Sequence, residues 1–331
     1  MRLLNDVVLS RVCAATGARA VQRAEVIQQL WSGYGALARV WLDGANWPSV
    51  IVKLVQPPAA SPSFVHAEQR RSHARKLRSY SVEMCFYKRY AQRCHHGSRV
   101  ARSLLCQQHD EQWLFVLEDL DAAGFSERRE RLPRHGVAGC LAWLAQFHAT
   151  FMGESPSDLW PMGTYWHLDT RPDELARSND PQLQAAAPWL DACLQGARYR
   201  TLVHGDAKVE NFCFAPDLAR VAAVDFQYVG AGTGVQDVAY FLSSCLDDHT
   251  CEAHAPALLD GYFDALRRVL AATRPDIDVV ALEAEWRALY PIAWADFARF
   301  MSGWAPHLDA RSGYPGRMTA LALAEYFRTR S

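Results

Sequence analysis

The segment "LVHGDAKVENFCF" (202–214) sets His204, Asp206, Lys208, Glu210 and Asn211 within eight residues, between two apolar runs of strand character. Polar groups that close to buried strands need partners, water or a ligand. Asp206 and Asn211 share one loop, and Asp225 follows at the end of the next short strand, in "RVAAVDFQ". A hairpin-like pairing of these strands brings both loop ends to one place. Carboxylate, amide and carboxylate are all oxygen donors, a set that suits a hard cation such as Mg²⁺. Lys208 adds positive charge where an anionic group can be held.

A second chemical signal lies far upstream. Lys53 interrupts the β-branched run "VIVKLV". A lysine on a buried strand is costly without a partner, so an anion should meet it. Glu83 in "SVEMCFY" is the first choice for that anion and Glu68 the second.

The elements that must carry these residues follow from pattern. Residues 24–55 read as a helix, a turn with Gly33 and Gly35, and two strands. "QPPAASPS" (56–63) is a loop by composition. A helix follows through "SVEMCFYKRYAQRC", then two strands, "VARSLLCQQ" and "QWLFVLEDL", joined by "HDE". Beyond about residue 120 the texture turns helical, beginning with the amphipathic "GVAGCLAWLAQFHATFM". "GAGTG" (230–234) reads as a flexible loop, and Asp237 heads a helix as its N-cap. The stripe Trp286, Tyr290, Trp294, Phe297 and Trp304 reads as core, or else as the wall of a pocket for a ligand with a large apolar face. Strands segregated ahead of helices predict an α+β chain with a β-rich lobe at 1–117 and a mostly helical lobe at 118–331.

Composition narrows the classes of function. The chain has 331 residues, half of them apolar, and a formal net charge of −1. That balance argues for a globular protein and against nucleic acid or a membrane surface as partner. "MRLLNDVVLS" is interrupted too early to be a secretory signal, and no apolar run is long enough to cross a bilayer. Nine cysteines without a CxxC pair read as reduced thiols, so a cytoplasmic setting is expected.

"HGDAKVEN" resembles the HGDxxxxN catalytic loop of the kinase-like small-molecule phosphotransferases, and "VDFQ" resembles their metal-binding segment. This superfamily includes aminoglycoside phosphotransferases, choline kinases and the ecdysteroid-kinase-like group. The order of "VEMCFY", "VLEDL", "HGDAKVEN", "VDFQ" and "DVAYFL" is most similar to the last. The resemblance implies a two-lobed protein-kinase-like fold that takes ATP and Mg²⁺ in the cleft between the lobes and phosphorylates a small-molecule hydroxyl.

Under it, Asp206 is the general base and Lys208 neutralises charge on the transferring group. Asn211 and Asp225 hold the metal, Lys53 with Glu83 grips the phosphates, Gly33 and Gly35 belong to the loop over them, and Glu118 to Leu120 form the hinge beside adenine. Asp237 braces the catalytic loop. A hydrophobic or sterol-like alcohol is the first acceptor it suggests, with choline or an aminoglycoside next. A pseudokinase-type binding module is the alternative, and a metal-dependent hydrolase built on His204 and Asp206 lacks a second histidine cluster.

Overall fold

The computed structural model describes residues 4–58, 66–309 and 311–330. Part of the loop expected at 56–63 lies outside them. The chain divides into two compact units, one of Met1–His95, Arg99–Glu127 and Cys213–Gln227, the other of His96–Ser98, Arg128–Phe212 and Tyr228–Ser331. The first therefore takes in 118–127 and the "VDFQ" segment, both of which the sequence reading had grouped with the helical part.

The first unit opens with helix α1 (Asp6–Thr16), capped by the Asn5 side chain. Strands β1 (Ala20–Gln29), β2 (Gly35–Asp43) and β3 (Ser49–Val55) follow, then helix α2 (Ala67–Cys85), the short β4 (Arg99–Val100), and the hairpin of β5 (Ser103–His109) and β6 (Gln112–Glu118). Five strands pair antiparallel in the order β1-β2-β3-β6-β5. Because side chains alternate along a strand, β3 presents Val50, Val52 and Leu54 to one face. There they pack with Val8 and Val12 of α1 and with Val40, Leu114 and Val116. Each such fully buried side chain contributes roughly 1.5–3 kcal/mol. Lys53 falls on the opposite face, toward α2.

The helix expected from residue 24 is a strand. "AVQRAEVIQQ" has helix-forming composition, but it pairs along β2 from Ala20↔Asp43 to Gln29↔Ala36 as the exposed edge of the sheet. Strand pairing overrode a weak local preference.

The second unit holds α3 (Arg134–Thr150), α4 (Pro172–Ala176), α5 (Pro181–Gln195) and β7 (Thr201–Val203). After β8 (Phe212–Phe214) and β9 (Val221–Ala223) come β10 (Gly230–Gly232) and the helices α6 (Gly234–Cys245), α7 (Asp248–Thr273), α8 (Val279–Trp304) and α9 (Gly313–Arg328). β4, β9 and β8 form a small sheet in that order, with β4 parallel to β9.

β10 corrects the loop reading of "GAGTG". Gly230 and Gly232 pair with Val203 and Thr201 of β7, and Thr233 closes a capping box with Gln236. Thr233, not Asp237, is thus the N-cap of α6. Among the described residues no helix is long and apolar enough to cross a membrane. Cys140, Cys245 and Cys251 are buried thiols that serve as small apolar side chains.

Candidate active site

In the first unit, three residues distant in sequence meet. Lys53 is flanked by Leu37 on β2 and Phe115 on β6, in the middle of the sheet. Its Nζ lies 2.6 Å from Glu83 Oε2 and 4.0 Å from Asp225 Oδ1. Of the two glutamates proposed from sequence, the lysine is met by Glu83. α2 brings it there by packing on the sheet through Tyr80 against Trp113 and, from the π-helical turn Phe86–Tyr90 that continues α2, through Tyr87 against Phe115.

The same surface fixes Asp225. Phe226 is fully buried, stacked on Phe86 at 3.9 Å between ring centroids and edge-on to Tyr87, while Gln227 Oε1 accepts from Ser79 Oγ at 3.0 Å. With the two residues that follow it docked, Asp225 is held at φ +67, a left-handed conformation uncommon for a non-glycine residue.

One ammonium is shared by two carboxylates, and the consequences are unequal. For Lys53, burial favours the neutral amine, but Glu83 and Asp225 together hold it above its ordinary value. For Glu83, burial pushes the carboxyl up to about 7; Lys53 opposes this and Asp225 adds to it. Glu83 is the member of the pair that gives way, because it is deeply desolvated and faces a like charge.

The second unit builds the "HGDAKVEN" loop around a different residue. Asp237 is fully buried on α6. Its Oδ2 accepts from His204 N at 2.6 Å and its Oδ1 from Gly205 N at 2.9 Å. His148 of α3 bonds the same Oδ2 through Nε2 at 3.0 Å and Tyr262 through Nδ1 at 2.8 Å. A buried carboxylate is tolerated because these donors replace water. The bracing role suggested by resemblance is the one observed.

Gly205 turns the chain at φ +78 beneath Tyr228; a Cβ there would stand 2.1 Å from the Tyr228 carbonyl oxygen. His204 is buried and structural, packing edge-on to Trp143 while its Nδ1 accepts from Asp206 N at 3.2 Å.

Asp206 and Asn211 meet within this loop. Asn211 Nδ2 donates to the Asp206 main-chain oxygen at 2.7 Å and to its Oδ2 at 3.0 Å. Both bonds use the amide nitrogen and leave Asn211 Oδ1 unused by them. Lys208 is half-buried, and its main-chain N–H bonds Asp206 O at 2.9 Å.

The donors fit a hard cation by chemistry: Asp225 Oδ1 is buried with no hydrogen-bond partner, and Asn211 has an oxygen to offer. Among the described residues there is no cluster of three or more His, Cys, Asp or Glu side chains that could hold a metal.

Of the glycines, Gly33 has φ +73 and ends the short turn between β1 and β2. Gly35 opens β2, where a Cβ would lie 2.0 Å from Leu54 O, so close strand approach requires it. Glu118 is engaged within the unit: its carboxylate takes Arg99 at 2.5 and 2.6 Å, and its N–H bonds Arg102 O. Leu120 is buried, and its carbonyl accepts from Phe125 N at 2.8 Å.

The aromatic stripe divides. Trp286, bonded to Tyr199 O, and the buried Tyr290 and Trp294 are core. Phe297 instead joins Tyr165, Trp166, Tyr240 and Phe300 in an aromatic cluster. Tyr165 N donates to Gly205 O at 2.9 Å, adjacent to Asp206. Sequence reading passed over His148, Tyr165 and Tyr240; only the spacing of Tyr240 from Asp237, one helical turn, could have pointed to any of them.

A model of the ecdysteroid kinase-like family matches residues 173–274, a span that carries Asp206, Lys208, Asn211, Asp225 and Asp237. The structure of a microcompartment-associated aminopropanol kinase aligns over 96% of this chain and 94% of its own, with a TM-score of 0.50 at 13% identity. The fold is that of the small-molecule kinases. A Plasmodium vivax ethanolamine kinase aligns over 93% of this chain and 84% of its own (TM-score 0.49, 11% identity), and a Brachybacterium faecium macrolide 2′-phosphotransferase over 92% and 99% (0.47, 13%). No curated protein matches this chain in sequence. Lys53, Glu83 and Asp225 belong to the β-sheet unit, and Asp206 and Asn211 belong to the helical unit.

Proposed function

We propose that this protein transfers the γ-phosphoryl group of ATP, taken with Mg²⁺, to a hydroxyl group of a small molecule. A fold alone does not carry an activity. The observation that carries this reading is the sharing of buried Lys53 between Glu83 and Asp225, whose Oδ1 has no hydrogen-bond partner. Such an arrangement is complete only when a cation and an anionic ligand join it.

Asp206 accepts the proton of the acceptor hydroxyl as its oxygen bonds to the γ-phosphorus; the bond from that phosphorus to the bridging oxygen breaks, and ADP carries the electron pair away. Asn211 keeps the Asp206 carboxylate in place through its amide nitrogen and, with Asp225, would hold Mg²⁺. When bound, the metal supplies neutralisation of phosphate charge. Lys53, steadied by Glu83, binds phosphate oxygens, and Lys208 offers a second positive charge to the transferring group. Positioning and charge neutralisation of this kind are what phosphoryl transfer chiefly demands. In this reading the chain up to about residue 117, with Gly33, Gly35 and the Glu118–Leu120 segment, binds nucleotide, and the remainder serves the acceptor. The setting is cytoplasmic, where ATP is abundant.

The acceptor is a neutral alcohol with an apolar face. Support comes from the aromatic cluster near Asp206 and from the acids around it, which are already paired: Asp296 with Arg299, Asp191 with His167, and Glu174 with Arg171. Arg171 lies against the rings of Tyr165, Phe300 and Trp304, where a cationic substrate would be repelled. Choline and aminoglycosides therefore rank behind.

The test is Mg²⁺-ATP turnover against a panel containing a sterol, simple apolar alcohols, aminopropanol, choline and an aminoglycoside. Phosphorylation of one panel member, lost in Asp206→Asn, supports the reading. Tight Mg²⁺-ATP binding without turnover of any member would instead make the protein a nucleotide-binding module.

A further inference from the structure

We propose that Tyr34 is a positioning residue for the nucleotide phosphates: it pins the turn between Gly33 and Gly35 to the same stripe of α2 that holds Lys53. The proposal rests on the reading of that turn as the loop over the phosphates. In "WSGYG" (31–35) Ser32 and Gly33 follow one another at φ +57 and +73, and the first of these is uncommon for a serine. Leu30 N donates to Gly35 O at 2.8 Å and Gly33 N to Leu30 O at 3.2 Å, which closes the turn. Tyr34 is 3% exposed, whereas Trp31 at the tip is 80% exposed. The turn thus plugs one side chain into the unit and leaves the rest in solvent.

One face of α2 receives it. The Tyr34 hydroxyl hydrogen-bonds His73 Nδ1 at 2.5 Å, its ring centroid lies 5.8 Å from that of His73 and 6.4 Å from that of Tyr80, and Lys76 Nζ stands 4.7 Å from the same ring. Lys76 also donates to Ser32 Oγ at 2.8 Å, a second point of attachment. His73, Lys76, Tyr80 and Glu83 recur at helical spacing and share one face. At the far end of that stripe Glu83 takes Lys53 at 2.6 Å, and Lys53 Nζ lies 5.6 Å from the Tyr80 ring. About 15 Å of helix therefore carries the turn at one end and the buried lysine at the other. With the turn pinned, its backbone and the Lys53 ammonium keep a fixed spacing, and less ordering remains to oppose binding of a phosphate chain between them. Sequence reading marked the two glycines and passed over the tyrosine that separates them.

Tyr34→Phe retains the ring and removes only the hydroxyl. His73→Leu removes its partner, and His73→Asn returns a polar atom near the place of Nδ1. Amide exchange of the full chain without nucleotide reads the attachment. Exchange at Gly33 and Tyr34 should quicken by about threefold to tenfold in Tyr34→Phe and in His73→Leu, go little further in the double variant, and return toward wild type in His73→Asn. Isothermal titration reads the role. Mg²⁺-ATP should bind Tyr34→Phe about threefold to tenfold more weakly than wild type, while adenosine, which has no phosphate, should bind both alike. Wild-type exchange in both single variants would overturn the attachment. Equal weakening for Mg²⁺-ATP and adenosine, or no weakening of either, would overturn the positioning role and leave Tyr34 a packing residue. Absence of Mg²⁺-ATP binding by wild type would remove the nucleotide reading, and the positioning role with it, even where the exchange rates differ.

Discussion

The Nζ of Lys53 stands 4.0 Å from Oδ1 of Asp225, joining the centre of a β-sheet to a segment that the chain reaches only after passing through part of the second unit. Glu83 lies closer to the same ammonium, at 2.6 Å. A single buried cation therefore balances two carboxylates. Removing it exposes their repulsion.

Lys53→Met preserves most of the side-chain volume but leaves Glu83 and Asp225 uncompensated. A loss of about 3 kcal/mol in folding stability is expected, as for one partner removed from a buried pair. In Lys53→Met/Glu83→Gln much of that loss should return. Denaturant unfolding of the two variants checks this, and a double variant no more stable than the single one would show that the pair is not coupled.

Stability should also depend on pH through Glu83. Its folded-state value is raised to about 7 from 4.5. The native state thus binds the proton more tightly than the unfolded chain does. The stabilisation from the protonated form is fully present below about 4.5 and is lost as pH rises through about 7. Over pH 5 to 8 the Tm of wild type should fall relative to Glu83→Gln measured in the same buffers. Parallel curves would place Glu83 in a less desolvated site.

Asp206→Asn separates chemistry from binding. The amide cannot take a proton, so phosphoryl transfer should drop by about a hundred- to ten-thousand-fold, while Mg²⁺-ATP affinity stays within a few-fold. Single-turnover kinetics with isothermal titration gives both numbers. A rate close to wild type would remove Asp206 from the reaction.

Asp237→Ala should damage the loop without touching substrate. The amides of His204 and Gly205 and the Nε2 of His148 all lose their acceptor in a fully buried site. Each unsatisfied buried group costs about 1–3 kcal/mol, so the second unit should become marginal. Amide exchange would then be fastest at His204 and Gly205. Protection equal to wild type at those amides would mean that water replaces the carboxylate.

Gly205→Ala is a sharper probe of the same turn. The φ of +78 and the Tyr228 carbonyl both reject a Cβ, so destabilisation by more than about 1 kcal/mol is expected, with Asp206 displaced. Thermal unfolding beside Gly261→Ala, where a Cβ would meet nothing within 4 Å, provides the comparison.

The chemistry-bearing loop, the buried lysine and its glutamate were legible in order and type, because a charge inside a β-branched run or five polar residues between strands has few inexpensive explanations. Helical stretches such as α3 were legible as well, through periodicity strong enough to survive any context. Where local preference was weak, the reading failed. β1 has the composition of a helix and became a strand because β2 offered it a ladder, and "GAGTG" became β10 because β7 lay ready to pair.

By itself, then, the order of residues determined which chemical groups are available, since side-chain chemistry is local. Tertiary structure alone decided which groups meet. Packing of Phe226 on Phe86 sets Asp225 beside Lys53, and one face of α6 brings Asp237 and Ser244 along the loop. Contacts between residues so distant in the chain are selected by burial and close packing, and no spacing rule along the backbone encodes them.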